Sequence, residues 1–300
     1  MRILAAIVTY NRSKLLERCV DHILAQTRKP DGLVVINNSS TDDTEEMLTR
    51  KGVDFITQAN LGGAGGFNRA IAHALEQGYD AVWLMDDDGF PGDEALAHLE
   101  GSLKPGVACV SSVVLREDDP ANLVFPLPVL DKEGMPAIFA WPRKITALEE
   151  LNRRSRDRLY PFAHLFNGVL VSADAIRAIG NVETGYFIFG DELDYMMRLR
   201  QWGEVLSHVD AHHYHPDVAG RPLSDMKIYF YIKNTIILNR RYYNKAPLRN
   251  VLTVGVGLAR MALRNGLREA ASFAMGKQNA VVRKAIARGL QGRIGNDFNA

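Results

Sequence analysis

Short apolar runs rich in β-branched residues alternate with stretches of helical period through the first hundred residues. This alternation restricts the chain to βαβ winding around a largely parallel sheet. The runs predict strands over 2–9, 32–37, 53–57 and 81–85. Ser13-Lys14-Leu15-Leu16-Glu17 opens a helix with Leu15, Leu16, Val20 and Ile23 on one stripe. Thr41-Asp42-Asp43-Thr44-Glu45 opens a second with acids in its first turn, and a third runs from about 66 to 77 and closes at Gly78. The apolar start of the chain gives way to Thr9-Tyr10-Asn11-Arg12. It falls far short of the roughly 20 residues that span a bilayer, and it reads as the first buried strand.

Regular winding stops near 105. Pro120, Pro126, Pro128, Pro136, Pro142 and Pro161 break the stretch 105–165 into mixed strands and loops, an excursion over a site. A strand over 166–172, a short helix over 173–178, a helix over 194–202 and a last strand over 203–209 follow, then helices over 223–243 and 246–290. The expected organisation is an α/β domain over 1–222, divided near 100 into a ligand-binding and a catalytic half, with a helical extension over 223–300. With 47% hydrophobic and 24% charged residues the chain is an ordinary globular one. A formal net charge of +1 argues against a polyanion binder, so no nucleic-acid partner is expected. The charge is uneven: from Arg240 onward twelve Lys and Arg face two acids, Glu269 and Asp297. Cys19 and Cys109 lie far apart in apolar surroundings, which supports neither a disulfide framework nor a zinc site and suits a reducing cytoplasm.

Four clusters carry chemistry. Trp83-Leu84-Met85-Asp86-Asp87-Asp88-Gly89 is an apolar run that ends abruptly in three carboxylates. Open parallel sheets bind ligands beyond the carboxyl ends of their strands, and adjacent carboxylates repel unless a cation bridges them; oxygen donors suit Mg²⁺ or Mn²⁺. A solvated, helix-capping turn is the plainer alternative. Asn60-Leu61-Gly62-Gly63-Ala64-Gly65-Gly66-Phe67-Asn68-Arg69 places four glycines between a strand and a helix, where backbone amides can approach an anion. Arg69 either binds phosphate or pairs with an acid. The stretch lacks a dinucleotide fingerprint and a Walker lysine. Phe189-Gly190-Asp191-Glu192-Leu193-Asp194-Tyr195 sets acids before an amphipathic helix, either to complement its dipole or to supply a base. In His212-His213-Tyr214-His215-Pro216, one histidine can complete a divalent site; His215 is the expected ligand, with His212 and His213 as surface or packing residues.

In this order the four clusters resemble the family 2 inverting glycosyltransferases of GT-A fold, over roughly residues 1–245. Val8-Thr9-Tyr10-Asn11-Arg12 is similar to the family's opening segment, which holds the nucleotide base. Ile36-Asn37-Asn38-Ser39-Ser40-Thr41-Asp42 is similar to its D-N-G-S-T-D segment, with Asn37 where an acid is usual. The resemblance implies donor contacts from Thr9, Tyr10, Asn11, Arg12, Asn38, Asn60, Gly65, Gly66, Arg69, Asp86 and Asp87. It also implies a Mn²⁺ or Mg²⁺ ion on Asp86, Asp88 and His215, an acceptor site at Asn167, Gly168 and Asp194, and a catalytic base at Asp191 or Glu192. The glycine-rich segment beside the triple aspartate most resembles bacterial galactofuranosyl- and rhamnosyltransferases, with UDP-galactofuranose favoured over dTDP-rhamnose as donor and a cell-surface glycan or polyprenyl-diphosphate-linked acceptor.

Aromatics mixed with bases over 226–243, and Leu252, Val256, Leu263 and Leu267 among arginines, suit either a membrane surface or packing on the catalytic domain or a second subunit. A cytoplasmic enzyme, peripheral on the inner face of the membrane, is the expectation. A sugar-phosphate nucleotidyltransferase would carry a glycine-rich basic loop after the first strand, where Thr9-Tyr10-Asn11-Arg12 has no glycine. A nucleotide-sugar-binding scaffold would bind the donor without transferring it.

Overall fold

Ile3–Thr9 is buried at every position, as a strand flanked on both edges and both faces must be. A computed structural model describes residues 1–218, 220 and 222–298. The chain divides into two compact units, Met1–Val182 with Tyr195–Asp217 and Glu183–Asp194 with Val218–Ala300.

The first unit starts as β1 (Ile3–Thr9), α1 (Ser13–Leu24), β2 (Gly32–Asn37), α2 (Thr44–Lys51), β3 (Asp54–Thr57), α3 (Gly62–Glu76) and β4 (Ala81–Asp86). Next come β5 (Phe90–Pro91), α4 (Ala95–Ser102), β6 (Val107–Arg116), β7 (Asn122–Pro128), β8 (Lys144–Ala147), α5 (Leu148–Arg154), β9 (Leu159–Tyr160), β10 (Asn167–Ser172) and α6 (Ala173–Ile179). Helix α7 (Asp191–Trp202) leads into β11 (Glu204–His215). The sheet order is β3-β2-β1-β4-β10-β6-β11-β5, with β7, β8 and β9 off this path. Strands β3, β2, β1 and β4 run parallel, β10 inserts antiparallel between β4 and β6, and β11 pairs parallel with β6. The parallel block therefore ends its strands on one edge: Val8 lies opposite Asp86, and Thr9 opposite Asn37. Ile3, Ile7, Leu16, Val20, Ile23, Val35, Trp83 and Met85 are among the residues that fill the core under it.

In the first unit, helix α3 and strand β11 differ most from the sequence expectation. Helix α3 begins at Gly62, so the glycines form its first turns instead of a loop. Gly66 is buried, and a Cβ there would run into Val8 Cγ1 of β1; the absent side chain lets helix and strand touch. Asn60 Oδ1 accepts from the Gly62 amide at 3.0 Å and fixes the entry. Strand β11 runs to His215, six residues past the expected end, and its burial alternates from Val209 to His215 as a half-covered strand requires. His212 and His213 are thus strand residues: His212 is half-buried and His213 wholly buried.

The second unit holds α8 (Asp225–Tyr242), α9 (Ala246–Asn265), α10 (Leu267–Met275) and α11 (Asn279–Leu290). Ser224 caps α8, accepting from the Lys227 amide at 3.3 Å. The long helix expected over 246–290 is three helices, broken at Gly266 (φ 98°) and after Met275. Ile228, Phe230, Ile232, Ile236, Met261, Phe273, Val282 and Ala285 make a separate core. Fully buried Lys233 gives its Nζ to Asp297 Oδ1 at 2.7 Å and the Gly295 carbonyl at 2.8 Å. Among the described residues no helix is long and apolar enough to cross a membrane.

Candidate active site

The carboxyl edge of the parallel block gathers Thr9 and Arg12 after β1, Asn37, Asn38 and Ser39 after β2, and Asp86 to Asp88 after β4. Asp87 is 3% exposed, the most enclosed of the three acids. Thr9 Oγ1 donates to its Oδ2 at 2.7 Å, and Arg12 spans Asp87 Oδ1 at 3.0 Å and Asp88 Oδ2 at 2.9 Å. Burial pushes the Asp87 carboxyl up, against the pull of Thr9 and Arg12. Burial works against the Arg12 charge, yet Asp87 and Asp88 outweigh it and raise its pKa. Thr9 and Arg12, expected on the nucleotide base, thus also anchor the acidic turn. The Asn11 backbone is left-handed (φ 53°), and its Oδ1 accepts from the Thr41 amide at 2.6 Å, tying the ends of β1 and β2 together. Tyr10 stands 47% exposed beside it. Asn38, buried, accepts from Gln58 Nε2 at 2.9 Å, and Asn37 gives its amide to Glu45 Oε1 at 2.9 Å.

His215 closes the other side. Its Nδ1 lies 2.7 Å from the Pro216 carbonyl, an acceptor only, so Nδ1 carries the proton. Nε2 then faces Asp88 Oδ1 at 3.0 Å. Facing a carboxylate, Nε2 either carries a second proton or turns its lone pair to a shared cation. Two neighbouring ligands of an octahedral ion, each ~2.1 Å from it, stand ~3.0 Å apart, so the pair fits a divalent ion that completes its shell from a ligand. Among the described residues no group of three His, Cys, Asp or Glu is arranged to hold an ion. The expected set Asp86, Asp88 and His215 is represented by the Asp88–His215 pair, with Asp86 closing β4 and giving its amide to the Phe166 carbonyl at 2.8 Å.

Asn167 enters β10 opposite Met85, at the same edge, and is buried. Gly168 has φ 86°, and a Cβ there would stand 2.9 Å from Ser112 Oγ and 3.1 Å from His213 Nδ1; a Cβ on Gly89 would run into His213 Nε2. The His213 ring is therefore wedged between the glycine that ends the acidic turn and the glycine of Asn167-Gly168. Burial, then the nearby His215, pushes its pKa down to about 3, so it is neutral. Of the surface or packing role expected for His213, the structure shows packing, against Gly89 and Gly168.

In the second unit, Asp191 is half-buried, and burial followed by repulsion from Glu192 pushes its carboxyl up to about 6. The turn before it is strained, with Phe189 at φ 60° and Gly190 at φ 108°. Asn234, buried on α8, holds that turn by donating to the Ile188 and Phe189 carbonyls at 2.9 and 2.6 Å. No motif in the sequence marks Asn234. Four expected site residues serve the fold itself in this structure. Asp194 is 2% exposed and turned inward onto Tyr242 at 2.8 Å and Arg241 at 3.2 Å, so it anchors the first turn of α7. Arg69 pairs with Glu76 along α3 at 3.3 Å. Gly65 and Gly66 are buried helix residues, and a Cβ on Gly65 would run into Leu61.

The sheet flanked by helices is the GT-A arrangement, and solved structures share this fold. The mannosyltransferase PcManGT from Pyrobaculum calidifontis, in complex with GDP-Man and Mn²⁺, superposes with a TM-score of 0.55 at 16% identity, over 97% of this chain and 84% of its own. GalNAc-T7 with UDP, GalNAc and Mn²⁺ gives 0.60 at 13%, over 98% and 58%. The model of Glycosyl transferase family 2 matches residues 5–152. Galactofuranosyltransferase GlfT1 of Mycobacterium tuberculosis is 38% identical over 71% of this chain and 70% of its own. The Mycolicibacterium smegmatis GlfT1 is 37% identical, over 66% of this chain and 65% of its own length. An N-acetylglucosaminyl-diphospho-decaprenol L-rhamnosyltransferase of M. tuberculosis is 27% identical over 87% and 92%. The chain belongs to glycosyl transferase family 2.

Proposed function

We propose that the chain is an inverting, metal-dependent glycosyltransferase that moves galactofuranose from a nucleoside diphosphate donor to a cell-surface glycan or polyprenyl-diphosphate-linked acceptor. The observation that carries this reading is the Asp88–His215 pair, with its tautomer set by Pro216, at the edge where the parallel strands end. The names of the GlfT1 relatives support galactofuranose; the rhamnosyltransferase, similar over nearly its whole length, keeps rhamnose as the second donor.

Asp88 and His215 would hold Mn²⁺ or Mg²⁺, which supplies Lewis-acid neutralisation of a diphosphate leaving group. Arg12 spans Asp87 and Asp88 and offsets part of the charge of the acidic turn. The acceptor hydroxyl oxygen attacks the anomeric carbon while the bond from that carbon to the diphosphate oxygen breaks with its electron pair. The hydroxyl proton passes to Asp191 or Glu192. A carboxyl raised to about 6 is still ionised near neutrality and basic enough to accept it, which favours Asp191. Asn167 and Gly168 are the acceptor-side candidates that remain. The enzyme would work at the cytoplasmic face of the membrane, with the basic helices of the second unit near lipid or a second subunit.

The test is release of nucleoside diphosphate from UDP-galactofuranose or dTDP-rhamnose by the purified protein, with Mn²⁺ and a polyprenyl-diphosphate-linked sugar. Metal-dependent transfer from one donor, lost in Asp88→Ala, is expected. Binding of the donor with no transfer to any such acceptor would favour the scaffold alternative instead.

A further inference from the structure

The two most exposed large hydrophobic side chains of the first unit lie two residues apart. Trp141 is 96% and Phe139 80% exposed, both in the loop 129–143 that joins β7 to β8. Residues 134–142 read Gly-Met-Pro-Ala-Ile-Phe-Ala-Trp-Pro, nine positions without a charge, followed by exposed Arg143 and Lys144. Backbone hydrogen bonds close the loop: the Val129 amide donates to the Arg143 carbonyl at 3.0 Å, Ala137 to Val129 at 2.8 Å and Asp131 to Met135 at 2.8 Å. The Asp131 carboxylate is turned back onto the Glu133 and Met135 amides, both at 3.0 Å. The loop is thus built around its own backbone and leaves Phe139 and Trp141 largely exposed, with the bases Arg143 and Lys144 following them in the chain.

An aromatic pair flanked by bases matches the boundary of an anionic bilayer, where rings sit at headgroup level and bases meet lipid phosphates. The place of the hairpin gives that contact a use. Phe125 of β7 lies edge-on to His215 with ring centroids 5.3 Å apart and stacks on His164 at 4.5 Å, and Tyr160 donates to the Pro128 carbonyl at 2.6 Å. The strand that leads into the aromatic tip is therefore fixed against the Asp88–His215 pair.

We propose that residues 138–144 form a membrane-docking tip that seats Phe139 and Trp141 in the headgroup layer of an anionic bilayer, with Arg143 and Lys144 on lipid phosphates. Docking there would hold the candidate site beside acceptors anchored in the same bilayer; only this last consequence rests on the glycosyl-transfer reading. The tip is separate from the basic helices of the second unit, which every variant below retains.

The experiment uses the full chain and vesicles of phosphatidylcholine and phosphatidylglycerol, without donor or acceptor. Trp83 is fully buried and Trp202 is 38% exposed, so a Trp202→Phe background leaves Trp141 as the exposed reporter. Its emission is expected to shift to the blue and to be quenched by brominated lipid. Phe139→Ser with Trp141→Ser should lower vesicle partitioning tenfold or more. Arg143→Gln and Lys144→Gln should each lower it about fivefold, and only on vesicles containing phosphatidylglycerol. Transfer to a detergent-dispersed acceptor should be unchanged in all of them. Trp141 emission indifferent to vesicles, partitioning undiminished in the double variant, or Trp141 burial that follows protein concentration without lipid would each overturn the proposal. Absence of transfer by the unaltered chain in detergent would sink the enzymatic reading and leave the vesicle result standing.

Discussion

His215 approaches Asp88 with its donor nitrogen already committed to Pro216, so loss of either partner would remove a proposed metal ligand whose orientation is set in advance. His215→Gln is expected to raise the Mn²⁺ concentration for half-maximal transfer about 10- to 100-fold. Undiminished metal affinity would count against the pair as ligands. The acidic triplet was legible as a candidate site because it ends a buried strand, but the different surroundings of its three members were not. Asp87 is the enclosed member, held by Thr9 and Arg12, and only the fold brings residues 78 and 75 positions away onto it. Asp191 supplies a second test. With its carboxyl raised to about 6, Asp191 is protonated below that pH, so if it is the proposed base, transfer should fall as pH drops through about 6. Glu192→Gln removes the repelling neighbour and should move that limb to lower pH, an outcome read from a pH–rate profile. The stability sign runs the other way. A carboxyl raised on folding favours the fold fully below the unfolded carboxylate pKa, and that contribution is lost as pH rises through about 6. Asp191→Asn should therefore raise the melting temperature at pH 8 while abolishing transfer.

Strands β1 to β4 were readable because their apolar, β-branched runs are continuous, as strands buried on both faces require. Strand β11 was read only to Val209, because its remaining inward positions are Ala211, His213 and His215, and a hydropathy pattern does not count a buried imidazole as core. The glycines of α3 misled in the opposite direction. Their low helix propensity predicts a loop, but contact with Val8 decides the matter, since only a residue without Cβ lets the helix lie that close to β1. Gly66→Val should consequently destabilise the first unit by about 1–3 kcal/mol through overpacking, seen as a lower urea midpoint with an unchanged m-value. A neutral substitution would show that α3 has room to move away. Asn234 exposes another limit of sequence reading, since an unremarkable polar residue on α8 fixes a strained turn 44 to 46 positions earlier.

For the chain as a whole, the even net charge conceals a division: the basic run after Arg240 belongs to a unit with its own core, and the acidic site residues Asp86 to Asp88 belong to the other. The division was visible in the sequence as a charge asymmetry and a change from strand to helix signals. The breaks at Gly266 and Gly276 were less so, because helical period continues across them. If the carboxyl edge of the first unit binds a nucleoside diphosphate together with a divalent ion, ligand and metal must stabilise the fold jointly and not additively. The diphosphate alone meets three carboxylates whose charge Arg12 offsets only in part, and the ion alone finds two protein donors. With both present at about 100 times the dissociation constant, the linkage is worth about 2.7 kcal/mol, a rise of several degrees in melting temperature. The rise should need Mn²⁺ and nucleotide together, vanish with a chelator, and be lost in Asp88→Asn. A UDP response exceeding the dTDP response would favour galactofuranose over rhamnose, and equal shifts with and without metal would mean that Asp88 and His215 hold each other and nothing else.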